Sequence, residues 1–221
     1  MQINVVRSCL VFAVLAAIAS AVDLSNVVLA QLPAAANNAP TDESLRRELL
    51  DMKERDQVAR RELMQMLPGE KDAGADVLAK MMDIDKRHTA RMKELVSEHG
   101  WPDQRLVGDD GAQAAWLLVQ HADLDVDFQE RCLALLEAAV KAGEAKPSHW
   151  AYLVDRVRVN RKRPQIYGTQ FIDRGKGLMP QPIEDEEHID ERRKAVGLGT
   201  LAEYAETLRA ASKPPKETPS R

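Results

Sequence analysis

Gly111-Ala-Gln-Ala-Ala-Trp-Leu-Leu-Val-Gln-His-Ala-Asp123 decides the fold: it spans about 3.5 helical turns, is apolar on nearly every side, and carries Gln120 and His121 near its end. A helix that is hydrophobic all round must be surrounded by other elements, so this stretch marks the centre of a domain. At about 100° per residue, Ala115, Leu118, Val119 and Ala122 form one apolar side, while Gln113, Trp116, Gln120 and Asp123 form a flank. His121 points elsewhere, over Leu117. Asp109 or Asp110 is the expected N-cap, because a short carboxylate can accept from the first free N–H groups of a helix.

Upstream, Leu45, Leu49, Met52, Asp56, Ala59, Leu63 and Met66 recur in alternating steps of four and three, one face of a helix over about 42–66. Leu78, Met81, Asp85, His88, Met92, Leu95 and His99 repeat that pattern over about 73–98. Asp56, Asp85 and His88 break these apolar stripes and therefore need interior partners. Arg60, Arg61, Lys86 and Lys93 read as solvated faces. Pro68-Gly69 joins the two helices as an antiparallel pair. His99-Gly-Trp-Pro102 ends the second, with Gly100 suited to the left-handed position after a helix.

Downstream, Asp125 is placed to cap a helix whose buried stripe is Phe128, Cys132, Leu135, Leu136, Ala139 and Val140, ended by Gly143. Pro147 starts a fifth helix that packs through Trp150, Leu153, Val154 and Val157. Past Pro164 the period changes from helical to alternating in Gln165-Ile-Tyr-Gly-Thr-Gln-Phe171. This predicts a hairpin near 165–183, with Pro180 and Pro182 confining its second strand to an edge. Short helices over 186–195 and 200–211 follow. The fold class is mainly α: a compact bundle of about six or seven helices with a small β-hairpin.

The termini read differently. Met1 to Arg7 carries one positive charge, Cys9 to Val22 is uncharged and apolar, and Ala19-Ser-Ala21 fits small-x-small cleavage; Val28-Leu-Ala30 fits it too. Residues 1–30 thus read as a signal peptide cut after 21 or 30, residues 31–41 as a linker, 42–210 as one helical domain and 211–221 as a disordered tail. The expected location is periplasmic or secreted. Membrane contact follows only if the N-terminal segment stays uncleaved. Export removes Cys9 and leaves Cys132 without a mate, so packing must replace disulfides; Cys132 reads as a small core residue. The leader holds one Arg and one Asp, so its loss leaves the net charge at −4, a balance that argues against nucleic acid as partner. Aromatic content of only 4% beside abundant Leu and Ala favours helices over sheets.

Asp56-Gln-x-x-Arg60, His99-Gly-Trp-Pro102, Gly111-x-x-Ala-Ala-Trp-Leu-Leu-Val-Gln-His-Ala-Asp123, Ala151-Tyr-Leu-x-Asp-Arg-Val157, Gln165-x-Tyr-Gly-Thr-Gln170, Pro182-Ile-Glu-Asp185 and Gly197-Leu-x-x-Leu-x-x-Tyr204 stand in one order. Together they resemble a bacterial family catalogued as a domain of unknown function (6624), from about Leu45 to Tyr204. The resemblance implies that Asp56, Gln120, His121, Asp155, Tyr167 and Gln170 occupy motif positions. It implies no activity, substrate or cofactor.

The residues themselves leave two functional readings. In the first the protein is a non-catalytic binding or interaction domain for a small polar ligand or a protein. Its pocket would be lined by Trp116, Gln120, Tyr167 and Gln170 beside the central helix. In the second it is a hydrolase-type acid/base enzyme, with His121 oriented by Asp155 or Asp56. Whether it is an enzyme stays open at this level. Beside both stands the plainer role of His121 and Gln120 as core polar groups with internal partners. No metal and no cofactor are expected: His88 and His99 share a helix face but lie about 16 Å apart, and Asp85-x-x-His88 and Asp185-x-x-His188 lack the inward Glu residues of carboxylate-bridged sites. The basic run Arg156, Arg158, Arg161, Lys162 and Arg163 is nearly matched by acids between Glu184 and Glu191, with which it can pair.

Overall fold

The computed structural model describes residues 40–65, 71–175 and 177–212. The leader, most of the linker, the Pro68-Gly69 joint and most of the tail lie outside the described residues. Within them are seven α-helices and one two-stranded antiparallel hairpin, the mainly-α architecture expected. No helix among them is long and apolar enough to cross a membrane.

Helices α1 (Glu43–Gln65) and α2 (Lys71–His99) pair through ion bridges that run in opposite order along the two helices. Glu48 meets Arg91, Arg60 meets Asp85 and Glu62 meets Lys80, which makes the pair antiparallel. Their stripes close on α3 (Gln104–Gln120), the central helix. Leu45, Leu49 and Met52 of α1 and Met92 and Leu95 of α2 share one core with Ala114, Ala115, Leu118 and Val119 of α3. Each Leu so enclosed stabilises the fold by about 1.5–3 kcal/mol before entropy is charged against it.

The start of α3 differs from expectation. Asp103 is the cap, accepting from Leu106 N at 2.9 Å, and Gly108 then breaks the helical path at φ +71°. That left-handed step is cheap only for glycine. Past that break Asp110 pairs with Arg46 while accepting from Gly111 N at 2.9 Å, and Asp109 meets Gln104 and Lys146; neither is the N-cap of α3. Asp125 does cap α4 (Val126–Lys141) as expected, accepting from Phe128 N at 3.0 Å. Cys132 lies fully inside, its thiol pushed up to about 12 by burial and so inert as a nucleophile. Pro147 opens α5 (Pro147–Asn160), which lies along α4.

The hairpin is shorter than the alternation suggests. Strands β1 (Phe171–Asp173) and β2 (Leu178–Pro180) pair with Phe171 opposite Pro180, Ile172 opposite Met179 and Asp173 opposite Leu178. Gln165–Gln170 forms no strand beyond a single bridge from Gln165 to Ile183. Its backbone instead folds around the carboxylate of Asp155. A 3₁₀ turn leads into α6 (Ile189–Ala195), and α7 (Leu201–Ala211) starts from a Thr200/Glu203 capping box.

Candidate functional site

The sequence candidates fall into three separate places. The first surrounds the end of α3. His121 is the residue that ends this helix, and its Nδ1 lies 2.9 and 3.0 Å from the two carboxylate oxygens of Asp56 on α1. Asp56 is thus the carboxylate that meets His121, and Asp155 is not. Because an ionised carboxylate only accepts, Nδ1 carries the proton and donates it to Asp56. The same carboxylate accepts from Gln57 Nε2 at 2.8 Å and from Arg60 Nε at 3.1 Å. Arg60 continues across the helix pair, donating through Nη2 to Asp85 Oδ1 at 2.6 Å. Burial is nearly complete, with Asp56 1% exposed and His121 5%.

Electrostatics sort these groups by how well each is compensated. Burial works to raise Asp56, but the charges beside it and the bonds from His121 and Gln57 outweigh that and hold it below the usual carboxylate range. Burial, with Arg60 nearby, lowers His121, which keeps its ring neutral. Asp85 is pushed up to about 7, first by burial and then by repulsion from Asp56 and Asp123. Its short contact to Arg60 does not prevent this, because that one cation is shared with Asp56.

A carboxyl raised in this way contributes stability that is complete below its unfolded value near 3.8 and lost as pH rises through about 7. His121, His88 and His149, with their lowered values, work in the opposite sense as pH passes through the unfolded histidine value near 6.5. Between pH 6.5 and 8 the natural chain should therefore lose about 1 kcal/mol of unfolding free energy relative to Asp85→Asn, in which the histidine contributions are unchanged. Asp85→Asn, which keeps an acceptor for Arg60, retains the histidine response and lacks the carboxyl's. Urea titrations at pH 6.5, 7.25 and 8 check this; parallel profiles for the two proteins would place the titration elsewhere.

Gln120 and Asp123 are held by Arg156 of α5. Arg156 Nε donates to Gln120 Oε1 at 3.2 Å and Nη1 to Asp123 Oδ2 at 3.4 Å. Gln129 caps the end of α3 from the side, its amide donating to the carbonyls of Val119 and Gln120. Asn160 ties Gln129 to Asp123. The Gln120 and Asp123 oxygens of the central helix's flank therefore accept internal bonds. Trp116 is also turned inward, donating to the His149 carbonyl at 2.9 Å and stacked on its ring at 4.2 Å.

The third place is the loop after α5. Asp155 Oδ1 accepts from Ile166 N at 2.7 Å and Tyr167 N at 3.0 Å, and Oδ2 accepts from Thr169 N and Oγ1, each at 2.9 Å. Gln165 clamps the base of the loop by exchanging bonds with the backbone of Gln170. Gly168 completes the turn at φ +63°, and a Cβ there would come within 2.8 Å of Ile189 and Leu201. The Tyr167 carbonyl receives Arg193 Nη1 at 2.6 Å. Tyr167 and Gln170 are thus held together with Asp155, apart from Trp116, Gln120 and His121.

Arg60, Arg156 and Arg193 are buried participants that charge patterning had assigned to water or not singled out. One sequence signal was available: Arg60 stands four residues after Asp56, whose place on an apolar stripe already demanded a partner. Among the described residues no three His, Cys, Asp or Glu side chains converge as metal ligands would. His121 Nε2 and Gln120 Nε2 are buried and make no bond to a described residue. A histidine held by a carboxylate at Nδ1 can act as a base through Nε2, but only where a substrate reaches it. His121 is enclosed.

Open space lies elsewhere. A groove of about 530 Å³ runs between α1 and α2, floored by Met52, Val58, Ala59 and Ile84, with His88 in its wall. The His88 Nδ1 is buried without a described partner. The groove's charged rim is paired within itself and its surroundings: Arg55 with Asp51, Lys80 with Glu62, Arg87 with Asp83, and Arg91 with Glu48.

A family model described as "Family of unknown function (DUF6624)" matches residues 43–213. No curated protein and no solved structure matches the chain.

Proposed function

We propose, for a chain that belongs to this family of unknown function and inherits no activity from it, an exported, non-catalytic binding domain that takes a peptide segment in the α1–α2 groove. Export is supported by the charged start, apolar run and small-residue cleavage patterns of residues 1–30. The binding reading is carried by one observation: the groove combines an apolar floor with the half-buried ring of His88 in its wall. The polar groups of the central helix offer no such opening: His121 Nε2 and Gln120 Nε2 make no bond to a described residue, but both residues are enclosed and neither lines the groove. Val58, exposed at 39%, adds apolar surface that the fold does not use. Since the rim charges neutralise one another, the occupant needs apolar side chains and a backbone acceptor or donor for His88 rather than net charge.

Selection of a displayed random-peptide library on the purified chain tests this. Enriched peptides should carry apolar anchors and bind at least tenfold more weakly to Val58→Asp, a surface change that should leave the melting temperature within about 2 °C. Peptides that bind Val58→Asp as well as the natural chain would show that the groove is not the site.

A further inference from the structure

The lining of the α1–α2 groove sorts its charges by helix. Four acids and one base face it from α1: Glu48, Asp51, Glu54 and Glu62, with Arg55. Three bases and no acid face it from α2: Lys80, Arg87 and Arg91. Among the described lining residues the two walls are bridged only at the ends of the groove, by Glu48 with Arg91 and by Glu62 with Lys80. Between these ends the charges pair along their own helices, Asp51 with Arg55, Glu54 with Arg61 and Arg87 with Asp83. The groove is therefore near neutral as a whole, yet an acidic wall and a basic wall face each other across its apolar floor.

That layout selects an occupant by shape and by charge. From Glu48 to Glu62 the acidic wall is about 21 Å long at 1.5 Å per residue, the length of a helix of about 14 residues. A third helix packs along the seam of an antiparallel pair by laying one apolar stripe between its members, as α3 does against Leu49 of α1 and Met92 of α2. A uniformly basic or uniformly acidic helix would meet attraction on one wall and repulsion on the other. A helix with Lys or Arg along one flank of its stripe and Glu or Asp along the other meets attraction on both, with no net charge. Turning such a helix end for end exchanges its flanks, so the two walls also fix the direction in which it lies.

We infer that the α1–α2 groove takes an amphipathic helix whose apolar stripe is flanked by bases on the α1 side and by acids on the α2 side. This rests on the groove being the binding site and adds which kind of segment fills it. Three stapled helices of about 14 residues, identical in their Leu stripe, test it by fluorescence anisotropy: one with opposite flanks, one with Lys on both and one with Glu on both. At about 50 mM salt the opposite-flank helix should bind at least about tenfold more tightly than either of the others. The advantage should fall below about threefold at about 600 mM, since exposed ion pairs are screened. In Asp51→Lys/Glu54→Lys, which reverses two exposed charges of the acidic wall, the all-Glu helix should become the tightest binder. Equal binding by the three helices, with all three weakened by Val58→Asp, would overturn the inference and leave the groove as the site. So would failure of all three beside library peptides that do bind there. An opposite-flank helix that binds Val58→Asp as tightly as the natural chain would overturn both readings.

Discussion

Asp56→Ala should cost about 3–5 kcal/mol of unfolding free energy, as removal of one partner from a buried ion pair does, and His121→Ala should cost less. Among the described residues, Asp56 is the only carboxylate that both His121 and Arg60 hydrogen-bond. Without it the His121 Nδ1–H loses its acceptor inside the core, and Arg60 keeps only Asp85, a carboxyl already drawn toward protonation near pH 7. Asp56→Asn should fall between, since its amide oxygen can still accept but carries no charge for Arg60. The effects must also be non-additive, because the second substitution removes a group that the first has already stranded. Urea unfolding followed by helical circular dichroism measures all four corners of the cycle. A loss below 1 kcal/mol for Asp56→Ala would mean that water reaches the pair. His121 would then no longer be enclosed, and the case for a non-catalytic role would lose its support.

This cluster also shows what a sequence can and cannot say about such a site. The helices were legible, because steps of three and four at Leu45–Leu63 and Leu78–Leu95 encode faces directly, and the faces close on 111–120 as their apolarity requires. That Asp56, Asp85 and His88 break those faces was legible as a demand for partners. Who answers the demand was not: Asp56 and Asp155 are equal candidates for His121 until the crossing of α1 and α3 is known. Arginine misled most, because charge reads as exposure, whereas Arg60, Arg156 and Arg193 extend long apolar stems through the interior and find acceptors there. The alternation of Gln165–Phe171 misled differently. Its polar members face inward because Asp155 and Gln165 supply bonds that a strand partner would otherwise give. The groove left no mark on the sequence at all, since concavity depends on how far apart two helices diverge.

Asp155→Ala should be as costly as Asp56→Ala, about 3–5 kcal/mol, yet it should act on a different part of the molecule. One carboxylate satisfies the N–H groups of Ile166, Tyr167 and Thr169 and the hydroxyl of Thr169. Alanine leaves three backbone donors buried or half-buried without an acceptor. Asparagine rescues little, because its amide turns two donors toward a ring of donors. The loop in turn presents the Tyr167 carbonyl to Arg193 and the Thr169 carbonyl to Tyr204, and it packs Gly168 against Ile189 and Leu201. Loosening it should release α6 and α7 from the body of the fold. Hydrogen exchange distinguishes the two substitutions. In Asp155→Ala, protection should fall first in 166–173 and 189–211 while α1 and α3 keep theirs; Asp56→Ala should weaken α1, α2 and the end of α3 together. Uniform loss of protection in Asp155→Ala would mean that the domain unfolds as one unit. The carboxylate would then anchor the whole fold rather than the loop that holds α6 and α7.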